Sequence, residues 1–143
     1  DICRTTEAWL FAKPTPRPPS GASLPRDAPL HPDHALAFAA VAAQRAAAAR
    51  AIVLKEARKG DLARRVARFA PDVPVLALCD SPRVARQLAL SRGVFAQADA
   101  AAFDAATPSS LVARARSFLH LAEAEPVVAL CDETLSLPRG GEC

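Results

Sequence analysis

The sequence contains no methionine and a single tryptophan, and aromatic residues make up only 5% of it. A core so poor in rings has to be built from Ala, Val and Leu. Burial stabilises by ~25 cal/mol per Å² of apolar surface, so small side chains contribute less each, and modest stability with some dependence on neighbours is expected. No apolar run reaches the ~20 residues that a membrane-spanning helix needs, and no signal-peptide pattern opens the chain. The four cysteines, Cys3, Cys79, Cys131 and Cys143, show no Cys-x-x-Cys and have no histidine pair nearby. Metal-ligand spacing is therefore missing, and they read as buried or terminal free thiols. His31, His34 and His120 are scattered, and no Ser/His/Asp or Cys/His set follows from their spacing.

What is present is an ordinary globular balance, 51% hydrophobic and 23% charged over 143 residues, enough for one domain. The net charge of +3 is a weak basic bias. The arginines are spread along helices without interleaved aromatics, so nucleic acid is not the favoured partner. A soluble protein is expected, of the cytoplasm or an organellar matrix, with nothing in the composition to choose between them. Because the chain opens at Asp1 and lacks Met, it reads as a processed product, a fragment or the ordered part of something longer.

Three segments follow from the local grammar. Residues 1–12 read as a short helix, with Ile2, Trp9, Leu10 and Phe11 as its apolar cluster. Residues 13–32 form a proline-rich linker, because proline fixes φ and removes donors. Residues 33–143 form the domain. There Asp33 is the expected cap of an Ala-rich helix through residue 50, with Leu36, Ala40, Ala43 and Ala47 as its small-residue stripe. Ala51-Ile52-Val53-Leu54 reads as a buried strand. A helix over residues 61–69 turns Leu62, Val66 and Phe69 inward. Val75-Leu76-Ala77-Leu78 is the second strand. Ser81 and Pro82 start a helix to about residue 90, as N-cap and first helical residue, with Val84 and Leu88 inward. Gly93 suits a turn needing positive φ, and Val94-Phe95-Ala96 is the third strand. An Ala/Asp loop leads to a helix from Thr107-Pro108 to about residue 121, with Leu111, Ala115, Phe118 and Leu119 inward. Val127-Val128-Ala129-Leu130 is the fourth strand, and the tail holds at most one weak edge strand. Helix–strand alternation with short connections predicts an α/β three-layer sandwich: a mostly parallel sheet of four or five strands with helices on both faces.

The order of local sequences adds a resemblance. Ala67-Arg68-Phe69, Pro71-Asp72-Val73-Pro74, Ala85-Arg86-Gln87-Leu88 and Arg92-Gly93-Val94 follow one another as in the C-terminal, allosteric domain of pyruvate kinase. Ile2-Cys3-Arg4 with Glu7-Ala8 is similar to the last helix of that family's catalytic barrel. The rest of the barrel, which supplies the substrate, magnesium and potassium ligands, is missing. The resemblance therefore implies no catalytic residue and no cofactor in this chain, with magnesium and potassium relevant only if a barrel lies upstream.

The resemblance also implies that the first and fourth strands are neighbours, with the connections reversing between them. Ligands of open α/β sheets bind outside the strand C-termini at such a switch point. The candidate phosphate-effector crevice is lined by Lys55, Arg58, Lys59, Gly60 and Asp61. The cations attract an anion and the helix N-terminus beyond Gly60 offers N–H groups. Against a phosphate stand Asp61, expected to cap that helix, and Asp132 and Glu133 across the crevice. The hydroxyls that regulated members carry in this loop are replaced by Ala57 and Lys59. The twin segments VLALCDS and VVALCDE place Cys79 and Cys131 two strand spacings apart, ~9.6 Å, beyond the ~7 Å of a disulfide.

Two functional expectations result. The first is a non-catalytic assembly or interaction subunit of a larger complex, contacting other protein subunits or a parent barrel through residues 1–12. The second is the regulatory and oligomerisation domain of an intact pyruvate kinase, which converts phosphoenolpyruvate and ADP to pyruvate and ATP in glycolysis. A weaker third is a phosphorylated-metabolite sensor.

Overall fold

The computed structural model describes residues 32–56, 59–131 and 134–136. Five strands form one sheet: β1 (Ala51–Glu56), β2 (Val75–Cys79), β3 (Val94–Ala98), β4 (Val127–Cys131) and the short β5 (Thr134–Ser136). Their order is β3-β2-β1-β4-β5. β1 pairs in parallel with both β2 and β4, and β2 with β3, while β5 runs antiparallel to β4 at the edge. The helices are α1 (Pro32–Ala46), α2 (Asp61–Arg68), α3 (Pro82–Leu88), α4 (Ala100–Asp104) and α5 (Pro108–Leu119).

Alternation along the strands divides the core in two. Ile52, Leu54, Val75, Ala77, Cys79, Val128 and Leu130 face α1, α2 and α3, where Ala37, Ala40, Val41, Ala63, Val66 and Leu88 meet them. Ala51, Val53, Leu76, Leu78, Val127, Ala129 and Cys131 face the other way, against Phe103 of α4 and Leu111, Val112 and Ala115 of α5. Burial on both faces is why the central strands read as unbroken apolar runs, and the three-layer expectation holds.

The helix signals behave as expected where a cap is written next to them. Ser81 Oγ accepts from Val84 N at 3.4 Å, with Pro82 as the first helical residue. Thr107 Oγ1 accepts from Ser110 N at 3.2 Å, and Ser110 Oγ accepts from Thr107 N at 2.9 Å, a reciprocal capping box. Gly93 takes φ 73° at the turn into β3.

Four local expectations are corrected. α1 begins at Pro32, ahead of the expected cap Asp33, and ends at Ala46. Its buried residues are Ala37, Ala40, Val41 and Gln44, and Ala47 is exposed beyond its end. The stripe is set by i, i+3, i+4, i+7 spacing from Ala37, so Leu36 and Ala43 are only partly buried. The Ala/Asp stretch is not a loop but α4: Asp99 accepts from Ala102 N at 3.0 Å and Phe103 is buried. A helix this short shows no periodicity, so only its cap announces it. Phe118 is not inward; it is 41% exposed and lies 6.1 Å from the ring of Phe95, while Val112 fills the core place.

The fourth correction concerns the head of α2. Asp61 does not cap it. The N-cap is Gly60, at φ 77° and without a side-chain cap, and Asp61 sits in the first turn 3.5 Å from Arg64.

Candidate functional site

The connections reverse between β1 and β4, so the switch point lies outside the C-terminal ends of those strands. Alternation at the end of β1 separates its last two side chains. Lys55 follows Ala51 and Val53, and its Nζ lies 4.8 Å from the centroid of the Phe103 ring on α4. Glu56 follows Ile52 and Leu54 towards α2. It is buried at 3% exposure, and its Oε2 accepts from Ala63 N at 2.8 Å.

Ala63 is the third residue of α2, so Glu56 satisfies one of the N–H groups that a helix leaves open at its start. A buried carboxylate supplied from the preceding strand thus holds one N–H at the start of this helix. Gly60 is required twice over here: its φ is positive, and a Cβ would stand 2.9 Å from Leu88 Cδ2. Lys59 and Asp61 are exposed at the mouth. Arg58, Ala57, Asp132 and Glu133 lie outside the described residues, as do Ile2, Trp9, Leu10 and Phe11. The structure therefore brings Lys59, Gly60 and Asp61 to one loop and sends Lys55 across the sheet.

Glu56 was not singled out by sequence reasoning. Its only signal is a charge closing an apolar strand, which reads equally well as the first residue of a solvated loop.

Cys79 and Cys131 are both buried free thiols. They lie on opposite faces, because Cys79 pairs in register with Glu56, whereas β4 is shifted so that Leu130 pairs with Leu54. Burial, and then the carboxylates of Glu56 and Asp80, push the Cys79 thiol up to about 11, which leaves it protonated and inert as a nucleophile at neutral pH. The Cys131 Sγ donates to Ala106 O at 3.6 Å. Among the described residues, no group of three or more His, Cys, Asp or Glu is placed to hold a metal ion, and no helix is long and apolar enough to cross a membrane.

A second concavity, of about 510 Å³, opens beside β3, walled by Leu78, Gln97, Ser110, Arg114 and Phe118. Its Arg114 is already engaged: Nη1 donates to Gln97 Oε1 at 3.3 Å and Nη2 to Asp99 Oδ2 at 2.9 Å. The Ala102 N–H and then this guanidinium hold the Asp99 carboxyl below its ordinary value. The arrangement ties α5 to the end of β3. Sequence spacing gave no sign of it, since the partners are 15 and 17 residues apart.

Residues 34–136 match the family profile described as pyruvate kinase, alpha/beta domain. No curated protein matches the chain in sequence. Among solved structures, a Cryptosporidium parvum pyruvate kinase superposes with TM-score 0.65 at 21% identity, covering 77% of this chain and 22% of its own. A second pyruvate kinase structure from the same organism gives 0.67 at 21% identity, over 78% and 23% of the two chains. The same organism's enzyme in complex with ADP gives 0.63 at 20% identity, over 92% and 24%. At such identities the likeness speaks to the fold, and the chain spans less than a quarter of the length of these enzymes.

Proposed function

The chain belongs to the family of the pyruvate kinase alpha/beta domain, and from that premise we propose that it works by contact, as a non-catalytic assembly domain. Its partners are other protein subunits or the catalytic barrel of a parent polypeptide.

The observation that carries this reading is Glu56. An effector phosphate at the head of α2 would compete with Glu56 for the Ala63 N–H, which Glu56 already takes at 2.8 Å. It would also meet a buried carboxylate. Lys59 remains at the mouth, but it is exposed and screened. The same argument weighs against a phosphorylated-metabolite sensor. That arrangement supports contact as the domain's function, with the apolar cluster Ile2, Trp9, Leu10 and Phe11 as its docking element. Trp is a frequent energetic anchor of protein contacts.

The test is recovery of partners from the native source with the parent chain and with Trp9→Ala. The variant is expected to lose its partners while residues 33–131 melt as before. Equal recovery with both chains would remove the N-terminal element from the reading. Assayed alone with phosphoenolpyruvate and ADP, the chain is expected to form no pyruvate.

A second reading is favoured by the nature of the similar structures, which are pyruvate kinases more than four times as long as the matched segment. In that reading the chain is the regulatory and oligomerisation part of an intact enzyme, whose barrel would hold magnesium and potassium. A full-length transcript decides it: a barrel encoded upstream of Asp1 supports this reading, and its absence supports the stand-alone subunit.

A further inference from the structure

β3 is the outermost strand on its side of the sheet, and no described strand pairs with its outer edge. In a parallel ladder, alternate residues direct both backbone groups to the same neighbour. Val75 N donates to Gly93 O at 2.9 Å and Asp99 N donates to Cys79 O at 3.2 Å. With the register Val75↔Val94 to Cys79↔Ala98, this fixes the phase: Phe95 and Gln97 turn their groups to β2, while Val94, Ala96 and Ala98 turn theirs outward. The Val94 N–H is taken by Ser91 O at 3.2 Å in the preceding turn.

Natural edges are usually guarded by a charge, a proline or a bulge. The strand VFAQA has neither charge nor proline, its register with β2 is unbroken, and Phe95 stands 47% exposed on it.

We propose that a second copy of this chain pairs antiparallel along β3, about a twofold axis through Ala96. In this register outward groups meet only outward groups. Ala96 opposes the partner's Ala96, and each N–H donates to the other's carbonyl. Val94 opposes the partner's Ala98, whose N–H donates to the Val94 carbonyl. A twofold axis normal to the sheet requires opposed residues to share a face, and the outward set, symmetric about Ala96, meets that requirement. The end charges favour the same orientation: Arg92 lies two residues before Val94, and Asp99, which also holds Arg114, follows Ala98, so antiparallel pairing sets unlike charges at each end of the ladder. Phe95 then lies opposite the partner's Gln97, a wall of the concavity beside Arg114 and Phe118, and gains cover there. This deepens the contact reading by naming a partner, and it draws nothing from residues 1–12.

Sedimentation of the full chain from low micromolar to near-millimolar concentration is expected to show a shift from 15.0 kDa to twice that mass. The amides of Ala96 and Ala98 should exchange more slowly in the dimer. Phe95→Lys is expected to weaken the dimer by about tenfold or more, since symmetry repeats the substitution on both sides. Ala98→Pro removes an outward donor at an edge position that tolerates proline, and should weaken it as well. Trp9→Ala should leave the dimer intact, which separates this proposal from the docking of residues 1–12. A chain that stays monomeric throughout overturns the proposal. So does a dimer that is indifferent to both β3 variants, or one whose Ala96 and Ala98 amides stay unprotected.

Discussion

Glu56→Ala tests the reasoning most directly. The substitution removes the carboxylate that accepts from Ala63 N at 2.8 Å in a buried setting. Losing a hydrogen bond to a charged group costs ~1.5–3 kcal/mol, and losing an N-cap costs ~0.5–2 kcal/mol; both describe one contact, so they do not add. Removing a buried charge returns part of its desolvation cost, which leaves a net loss of about 2 kcal/mol. For a domain near a hundred residues, ~1 kcal/mol moves the melting temperature by ~4–8 °C, so a fall of roughly 8 °C or more is expected. Glu56→Gln keeps an acceptor oxygen and loses the charge that favours a helix N-terminus, so about 1 kcal/mol should be lost. Asp61→Ala removes only the exposed contact to Arg64 at 3.5 Å, and surface pairs are worth ~0–1 kcal/mol. Thermal melts should therefore order parent and Asp61→Ala first, then Glu56→Gln, then Glu56→Ala. The Ala63 amide should lose exchange protection only in the Glu56 variants. Should Glu56→Ala melt with the parent while Asp61→Ala falls, the cap has been assigned to the wrong carboxylate, and the argument against an effector phosphate goes with it.

Gly93→Ala should cost ~1–2 kcal/mol from positive φ alone, because its Cβ meets nothing; Gly60→Ala should cost more, since its Cβ also meets Leu88 Cδ2 at 2.9 Å, and a melt series reads the order. Cys79 is an acid whose folded value, about 11, stands above its ordinary 9.0, so stability should hold below pH 9.0 and decline as pH rises from there towards about 11; Cys79→Ala should flatten that limb of a pH-dependent denaturation series. Calorimetry with fructose bisphosphate should give no saturable heat at micromolar concentration, and an isotherm abolished by Lys59→Ala would restore the effector reading.

The fold was legible where one local interaction decides the structure. Both-face burial makes β2 and β4 apolar throughout, and β1 apolar as far as Leu54. Ser81-Pro82 and Thr107-Pro108 carry cap and first helical residue side by side. Gly93 stands where only glycine is unstrained. Features set by a distant partner were not legible. Phe118 fits an inward helical position, yet it lies beside the ring of Phe95, while its neighbour Leu119 packs on the core. α4 is too short for a period, and Glu56 becomes a cap only once α2 folds back against the end of β1.

The twin segments show why the candidate site divides. VLALCD and VVALCD each close a parallel strand next to β1, and the text alone makes their cysteines equivalent. Register removes the equivalence. β2 sets Cys79 beside Glu56, while β4 pairs Leu130 with Leu54 and so carries Cys131 on to the level of Lys55. A shift of one residue sends a side chain to the opposite face. Cys79 therefore faces α1 to α3 with a raised thiol, and Cys131 faces α4 and α5 with its Sγ on Ala106 O. No local residue encodes that shift; the length of each crossover and the packing of its helix do. The same alternation acts on Lys55 and Glu56, which as sequence neighbours suggest one charged crevice. On a strand buried on both faces, consecutive charges go to different sides of the sheet, so the cation goes to Phe103 and the carboxylate to the head of α2.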